Sequence, residues 1–122
     1  MLNSKMQDAI NKQINAEYYS AFLYLAMAAR FTGLGLAGGA NWMNVQFQEE
    51  LAHAKKFFEY VGERGGTVKL ETIGGPPTEW PDALAMFEHA YAHEQKVTGL
   101  INGLADLALE LKDHATHNFL QW

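Results

Sequence analysis

The chain has 122 residues, 48% of them hydrophobic and 19% charged, which suits one globular core and excludes both a disordered chain and a pair of independent domains. Fourteen acids face nine bases, with no run of Lys or Arg to track a phosphate backbone, so nucleic acid is not an expected partner while cations are. Cysteine is absent, which excludes disulfides, thiolate zinc sites, iron–sulfur clusters and cysteine nucleophiles and leaves oxygen and imidazole to hold any metal.

From about Ser4 to Phe31, apolar residues recur at helical steps (Met6, Ile10, Ile14, Ala21, Leu25, Ala28), predicting a first helix with Ser4 as its cap and Gly33 and Gly35 at its end. A second helix is predicted over about 38–64, with Met43, Phe47, Ala54, Phe57 and Val61 on one face and Gly65-Gly66 as its stop. At ~1.5 Å per residue each would run roughly 40 Å, an ordinary length for a bundle. Residues 65–81 then carry Gly74-Gly75-Pro76-Pro77 and Pro81, which interrupt helix and suit a long crossover to the far end of the bundle. The alternation Thr67-Val68-Lys69-Leu70-Glu71 has the pattern of a strand but no second strand to pair with. A third helix is predicted over about 82–112, with Leu84, Phe87, Tyr91, Val97, Ile101, Leu104 and Ala108 on one face. Asp113 can cap a fourth helix opening at His114, of which only the start is present before Trp122.

No repeat or phosphate-binding glycine motif interrupts this all-α reading; the eleven glycines cluster at helix junctions. The N-terminus lacks an apolar core behind a basic start, and no stretch reaches the ~18 apolar residues that span a bilayer, so no membrane partner is expected and the default location is the cytoplasm.

The acids fall in the apolar stripes. Glu17 lies seven residues after Ile10 and seven before Tyr24, Glu50 lies between Met43 and Phe57, and Glu94 lies between Phe87 and Ile101. Each takes a seam position normally filled by an apolar side chain. His53 follows Glu50 by three residues and shares its face, giving Glu-x-x-His. Isolated buried carboxylates cost several kcal/mol each, by order of magnitude, and the stripes hold no matching Lys or Arg, so a metal ion is the expected counter-charge. Carboxylates with one imidazole in a helical bundle suit iron or manganese better than structural zinc, and Glu50 is placed to bridge a pair of ions.

A single helical Glu is most often solvated; three in step, one with an i+3 His, reverse that reading. Glu49 is open between an accessory ion site and an exposed acid, and Tyr24 between a role beside the metals and simple packing. His89, His93, His114 and His117 have no carboxylate at matching seam positions and are expected at the surface or at caps. The five Met and Trp42, Trp80 and Trp122 are expected to fill space.

The pattern Asn11-x-Gln13-x-Asn15-x-Glu17-x-Tyr19-Ser20 with Tyr24, then Glu49-Glu50-x-x-His53, Gly65 with Pro76-Pro77, His93-Glu94 and Phe119-Leu120-x-Trp122, resembles the bacterial non-haem ferritins over the whole chain. The resemblance implies a ferritin-like bundle with a di-iron ferroxidase centre. Glu17, Glu50 and His53 would hold one iron and Glu50 with Glu94 the other, with Tyr24 alongside and Glu49 near a third. It also implies oxidation of Fe(II) by dioxygen or peroxide and mineral storage in a hollow shell of twenty-four subunits. Leu51 stands where bacterioferritins carry a haem-binding Met, so no haem is expected, and the absence of cysteine argues against rubrerythrins. Family members continue the fourth helix beyond the position of Trp122, where a Gln and a further Glu reach the centre. The competing readings are a ferritin-like assembly unit without turnover and, last, a di-iron oxygenase, which would usually carry a second Glu-x-x-His.

Overall fold

The computed structural model describes residues 1–122 and contains four helices: α1 Ser4–Gly33, α2 Ala37–Glu63, α3 Ala83–Glu110 and a short α4 His114–Phe119. The all-α bundle with a long connection between the second and third helices is borne out.

Helix α1 buries Met6, Ile10, Ile14, Ala21 and Ala28, but Leu25 is exposed and Tyr24 and Met27 are buried instead. From Ala21 the buried face continues by a step of three to Tyr24 and then of four to Ala28, which turns Leu25 outward. The cap is Asn3, not Ser4: its side-chain oxygen accepts the amides of Lys5 at 2.8 Å and Met6 at 3.4 Å. The turn into α2 is tight because a Cβ at Gly39 would overlap the Phe31 ring. At the other end of α2, Gly65 takes φ 73°, the left-handed conformation that stops a helix cheaply only with glycine.

Two apolar clusters show how the helices run. One joins Met6, Ile10 and Ile14 of α1 to Phe57, Tyr60 and Val61 of α2 and to Leu104 and Ala108 of α3. The other joins Tyr24, Met27 and Phe31 to Ala40, Met43, Met86, Ala90 and Trp80. Helix α1 is therefore antiparallel to both α2 and α3, so the connection between α2 and α3 must travel the length of the bundle.

Its first part is held by a ladder of side chains. The Thr67 amide donates to Gln7 Oε1 (2.9 Å), Asn11 Nδ2 donates to the Thr67 carbonyl (3.0 Å), the Lys69 amide donates to Asn11 Oδ1 (2.9 Å), and Asn15 Nδ2 donates to the Thr72 carbonyl (3.0 Å). Residues four apart on a helix rise ~6 Å and residues two apart on an extended chain ~6.6 Å. The near match lets Gln7, Asn11 and Asn15 take the place of a neighbouring strand. Thr67–Glu71 thus forms no strand, and its pairing partner is a helix face.

Asp82 caps α3 by accepting the Ala85 amide at 2.8 Å. Of the face expected to be covered on α3, Leu104 and Ala108 are buried while Leu84, Phe87 and Tyr91 are exposed. The buried residues at the start of α3 are Met86 and Ala90, which pack on α1. Asp113 caps α4 by accepting the Thr116 amide (3.1 Å) and hydroxyl (2.6 Å). With its hydrogen committed to Asp113, the Thr116 oxygen accepts from Tyr60 at 2.9 Å and from Arg64 Nη1 at 3.2 Å. Tyr60 also stacks on Phe119, with ring centroids 3.9 Å apart. Helix α4 is thereby fastened to the end of α2.

Candidate metal centre

Between the two apolar clusters lies a polar gap. Glu17 is 1% exposed and Glu50 5% exposed, on facing turns of α1 and α2. His53 Nδ1 sits 3.8 Å from Glu17 Oε2 and 3.4 Å from Glu50 Oε2. These are distances for charge attraction and not for well-made hydrogen bonds. Glu17 Oε2 and Glu50 Oε2 are both buried without a hydrogen-bond partner, an arrangement that native interiors seldom leave uncompensated. One ligand atom from each of Glu17, Glu50 and His53 falls within 4.8 Å of the others, the convergence a small cation requires.

The proton affinities reflect this crowding. Burial alone would raise the Glu17 carboxyl, but His53, Glu50 and the Gln13 amide outweigh it and hold Glu17 below the ordinary range. Burial and the neighbouring Glu17 push Glu50 up to about 7. The two carboxylates push His53 up to about 10. Without an ion, protons on His53 and Glu50 supply the compensation that a cation would otherwise give.

Glu94 is placed differently from the other two acids. The sequence spacing puts it in the core, whereas the structure leaves it exposed. It still lines the same cavity of about 160 Å³ with Glu17, Glu50, His53, Val97, Ile101 and Trp122. The Tyr24 hydroxyl, on a buried side chain, donates to Glu94 Oε1. Burial and then the Glu94 carboxylate raise the Tyr24 phenol, so it stays a donor. Glu49 is exposed and lies outside the group of converging ligand atoms.

His93 and His89 depart from the surface role expected of them. His93 is half-buried, with Nε2 2.7 Å from Ser20 Oγ, and His89 Nδ1 accepts the Trp80 indole N–H at 3.0 Å. Ser20 Oγ also donates to the Ala16 carbonyl at 2.9 Å, so its contact with His93 is one in which the imidazole N–H donates. Gln13 was not singled out by the spacing of acids. It is buried and its Nε2 donates to Glu17 Oε1 at 3.0 Å. The available signal was its position four residues before a core carboxylate, where an amide can reach it.

The family model for the ferritin-like domain matches residues 7–122. The bacterial non-heme ferritin of Bacteroides fragilis is 44% identical over 120 residues, covering 98% of this chain and 76% of that one. The protein of the same name from Escherichia coli O157:H7 is 35% identical over 122 residues, covering 100% of this chain and 74% of that one. Among solved structures, the open pore ferritin of the hyperthermophilic archaeon Archaeoglobus fulgidus superposes with a TM-score of 0.99 at 56% identity, covering 100% of this chain and 75% of that chain. Chlorobium tepidum ferritin gives 0.97 at 38% identity, with the same coverage. A match over nearly the whole chain, carried by sequence and by shape, means that this chain belongs to the ferritin family.

Proposed function

We propose that the chain takes up Fe(II) at Glu17, Glu50 and His53, oxidises it to Fe(III), and stores the product within a shell of self-associated subunits. The observation that carries this reading is the pair of buried carboxylate oxygens, Glu17 Oε2 and Glu50 Oε2, that have no donor and converge with His53. Iron is the substrate here, and the ligand set suits it: hard oxygens with one imidazole. Glu50 lines one cavity with Glu17, His53 and Glu94 and keeps an unpartnered Oε2, so it is the residue we assign to bridging a second ion. Glu94, oriented by Tyr24, is the terminal ligand of that second position, and Glu49 is the candidate for an accessory one. A pair of ferrous ions gives up one electron each, and dioxygen takes both electrons with protons to reach the peroxide level. Peroxide is the alternative acceptor.

The chain's own residues prepare this step. Glu17 and Glu50 offer negative charge that Fe(III) rewards more than Fe(II), which favours the oxidised product. The proton on His53 must leave before its Nδ1 can bind. A second reading, a ferritin-like assembly unit without turnover, draws on the exposure of Glu94 and its absence from the tight ligand group.

Anaerobic titration with Fe(II), followed by exposure to oxygen and read by absorbance, tests both. Rapid oxidation that saturates near a pair of irons per chain and disappears in a Glu50→Ala, His53→Ala variant is expected. Slow oxidation equal to that of the variant would reject the ferroxidase reading in favour of the assembly unit.

A further inference from the structure

We propose that Gln13 is a positioning residue for the iron site: it holds Glu17 by one carboxylate oxygen so that Glu17 meets a metal ion through the other oxygen alone. This rests on the reading of Glu17 as an iron ligand. Gln13 is 4% exposed, between Ile10 and Ile14 in the buried stripe of α1, where an apolar side chain would pack without a polar atom to satisfy. Burying an amide there is costly unless it is bonded. Its Nε2 donates to Glu17 Oε1 at 3.0 Å. A carboxylate only accepts, so the amide nitrogen is the atom that must face it and the orientation of Gln13 is fixed by chemistry.

The two oxygens of Glu17 are therefore unequal. Oε1 is engaged by Gln13, while Oε2 is buried, lacks a donor, and lies 3.8 Å from His53 Nδ1. Gln13 occupies one lone-pair direction of Oε1 and so fixes the plane of the carboxylate; turning both oxygens onto one ion would pull Oε1 from that direction and weaken the bond of a buried amide donor. Glu50 has an unpartnered Oε2 as well, and no amide holds its carboxylate in the way Gln13 holds Glu17. The difference gives the two acids separate tasks. Glu17 is a fixed terminal ligand with a single donor atom, and Glu50 is free to rotate between ion positions. A hydrogen bond to a metal-binding carboxylate orients it and tunes the metal it holds.

The test uses Co(II) as the probe, bound anaerobically to the full chain at one ion per chain, because its visible absorption weakens as coordination number rises. Gln13→Leu and Gln13→Met remove the donor while keeping an apolar side chain of similar reach, and thermal melts identify which of them folds as the parent does. The expected result is a loss of visible absorbance per bound cobalt in the folded variants, as Glu17 turns to bind through both oxygens. An unchanged cobalt spectrum in a folded variant would overturn the proposal, whatever happens to affinity. Glu17→Ala separates the levels of failure. If it retains the parent spectrum, Glu17 is not a ligand and both readings fall; if it alters the spectrum while the Gln13 variants do not, only the positioning role falls.

Discussion

Glu17 and Glu50 face each other in the interior with a shared imidazole and no fixed cation, so protons occupy the role of counter-ion. With Glu50 pushed up to about 7 and His53 up to about 10, both carry protons at about pH 6, whereas at about pH 8.5 His53 alone does. A divalent ion must displace them, since the metal binds the unprotonated ligands. Binding should therefore release about two protons per ion at the lower pH and about one at the higher, and affinity should rise with pH across the interval. Calorimetry with Zn(II) in buffers of different ionisation heat counts these protons; equal release at both pH values would contradict the assignment. The convergence of Glu17, Glu50 and His53 was legible in the sequence, because carboxylates seven residues from apolar neighbours and an i+3 His are visible in the letters alone. The exposure of Glu94 was not, since helical periodicity says which residues share a face but not whether another element covers that face. Gln13 was legible only in part: it stands four residues before a core carboxylate, but one amide within a stripe looks like any polar residue until its partner is known.

The elements around the site owe their positions to side chains on connections as much as to the apolar stripes. Asn11 both donates to the Thr67 carbonyl and accepts from the Lys69 amide, so it fixes the register of the crossover against α1. Asn11→Ala should cost about 1 kcal/mol, the usual worth of such bonds near the surface, and the Lys69 amide should lose protection in hydrogen exchange while amides within α1 keep theirs. The strand-like pattern at Thr67–Glu71 was readable, but its partner was not. Period-two alternation signals an extended chain, and only the three-dimensional match of rises reveals that a helix supplies the pairing groups. Asp113 performs the corresponding task for α4. Burial would raise its carboxyl, but the Thr116 hydroxyl and amide and the Arg64 guanidinium outweigh this and hold it below the ordinary value of 3.8. A depressed carboxyl contributes stability that is present above 3.8 and is lost as pH falls through the lower folded value. Asp113→Asn should thus flatten the acid limb of the stability profile and cost about 1 kcal/mol near neutrality, the difference between hydrogen bonds to a charged and to a neutral acceptor. Thermal melts by circular dichroism from about pH 6 down to about pH 2 measure both effects.

In the molecule as a whole, two apolar clusters flank a polar centre, and α3 bridges both clusters while leaving part of its length exposed. The fold class and the long crossover followed from periodicity and from the prolines, because a bundle with such a connection has few alternative topologies. The consequence for stability lies in the centre. Glu17 and Glu50 belong to different helices, so whatever compensates them, protons on His53 and Glu50 or a bound ion, ties α1 to α2. An ion bound to the folded chain alone stabilises it by mass action, by about 2.7 kcal/mol at a hundredfold excess over Kd. For a domain of this size that corresponds to a rise in Tm of roughly 10 °C. Anaerobic melts with Co(II) or Zn(II), at fixed chain concentration so that self-association does not intrude, measure the shift. Glu17→Ala and Glu50→Gln should each remove most of it, and Glu17→Ala should also lower the Tm of the metal-free chain, because it leaves the buried Gln13 amide unpaired. The paired result matters, because cations held by exposed acids such as Glu59 or Glu63 would stabilise parent and variants alike. A full shift surviving in both variants would mean that binding takes place away from the converging oxygens; its loss in both would tie the metal-dependent stability to the same two carboxylates.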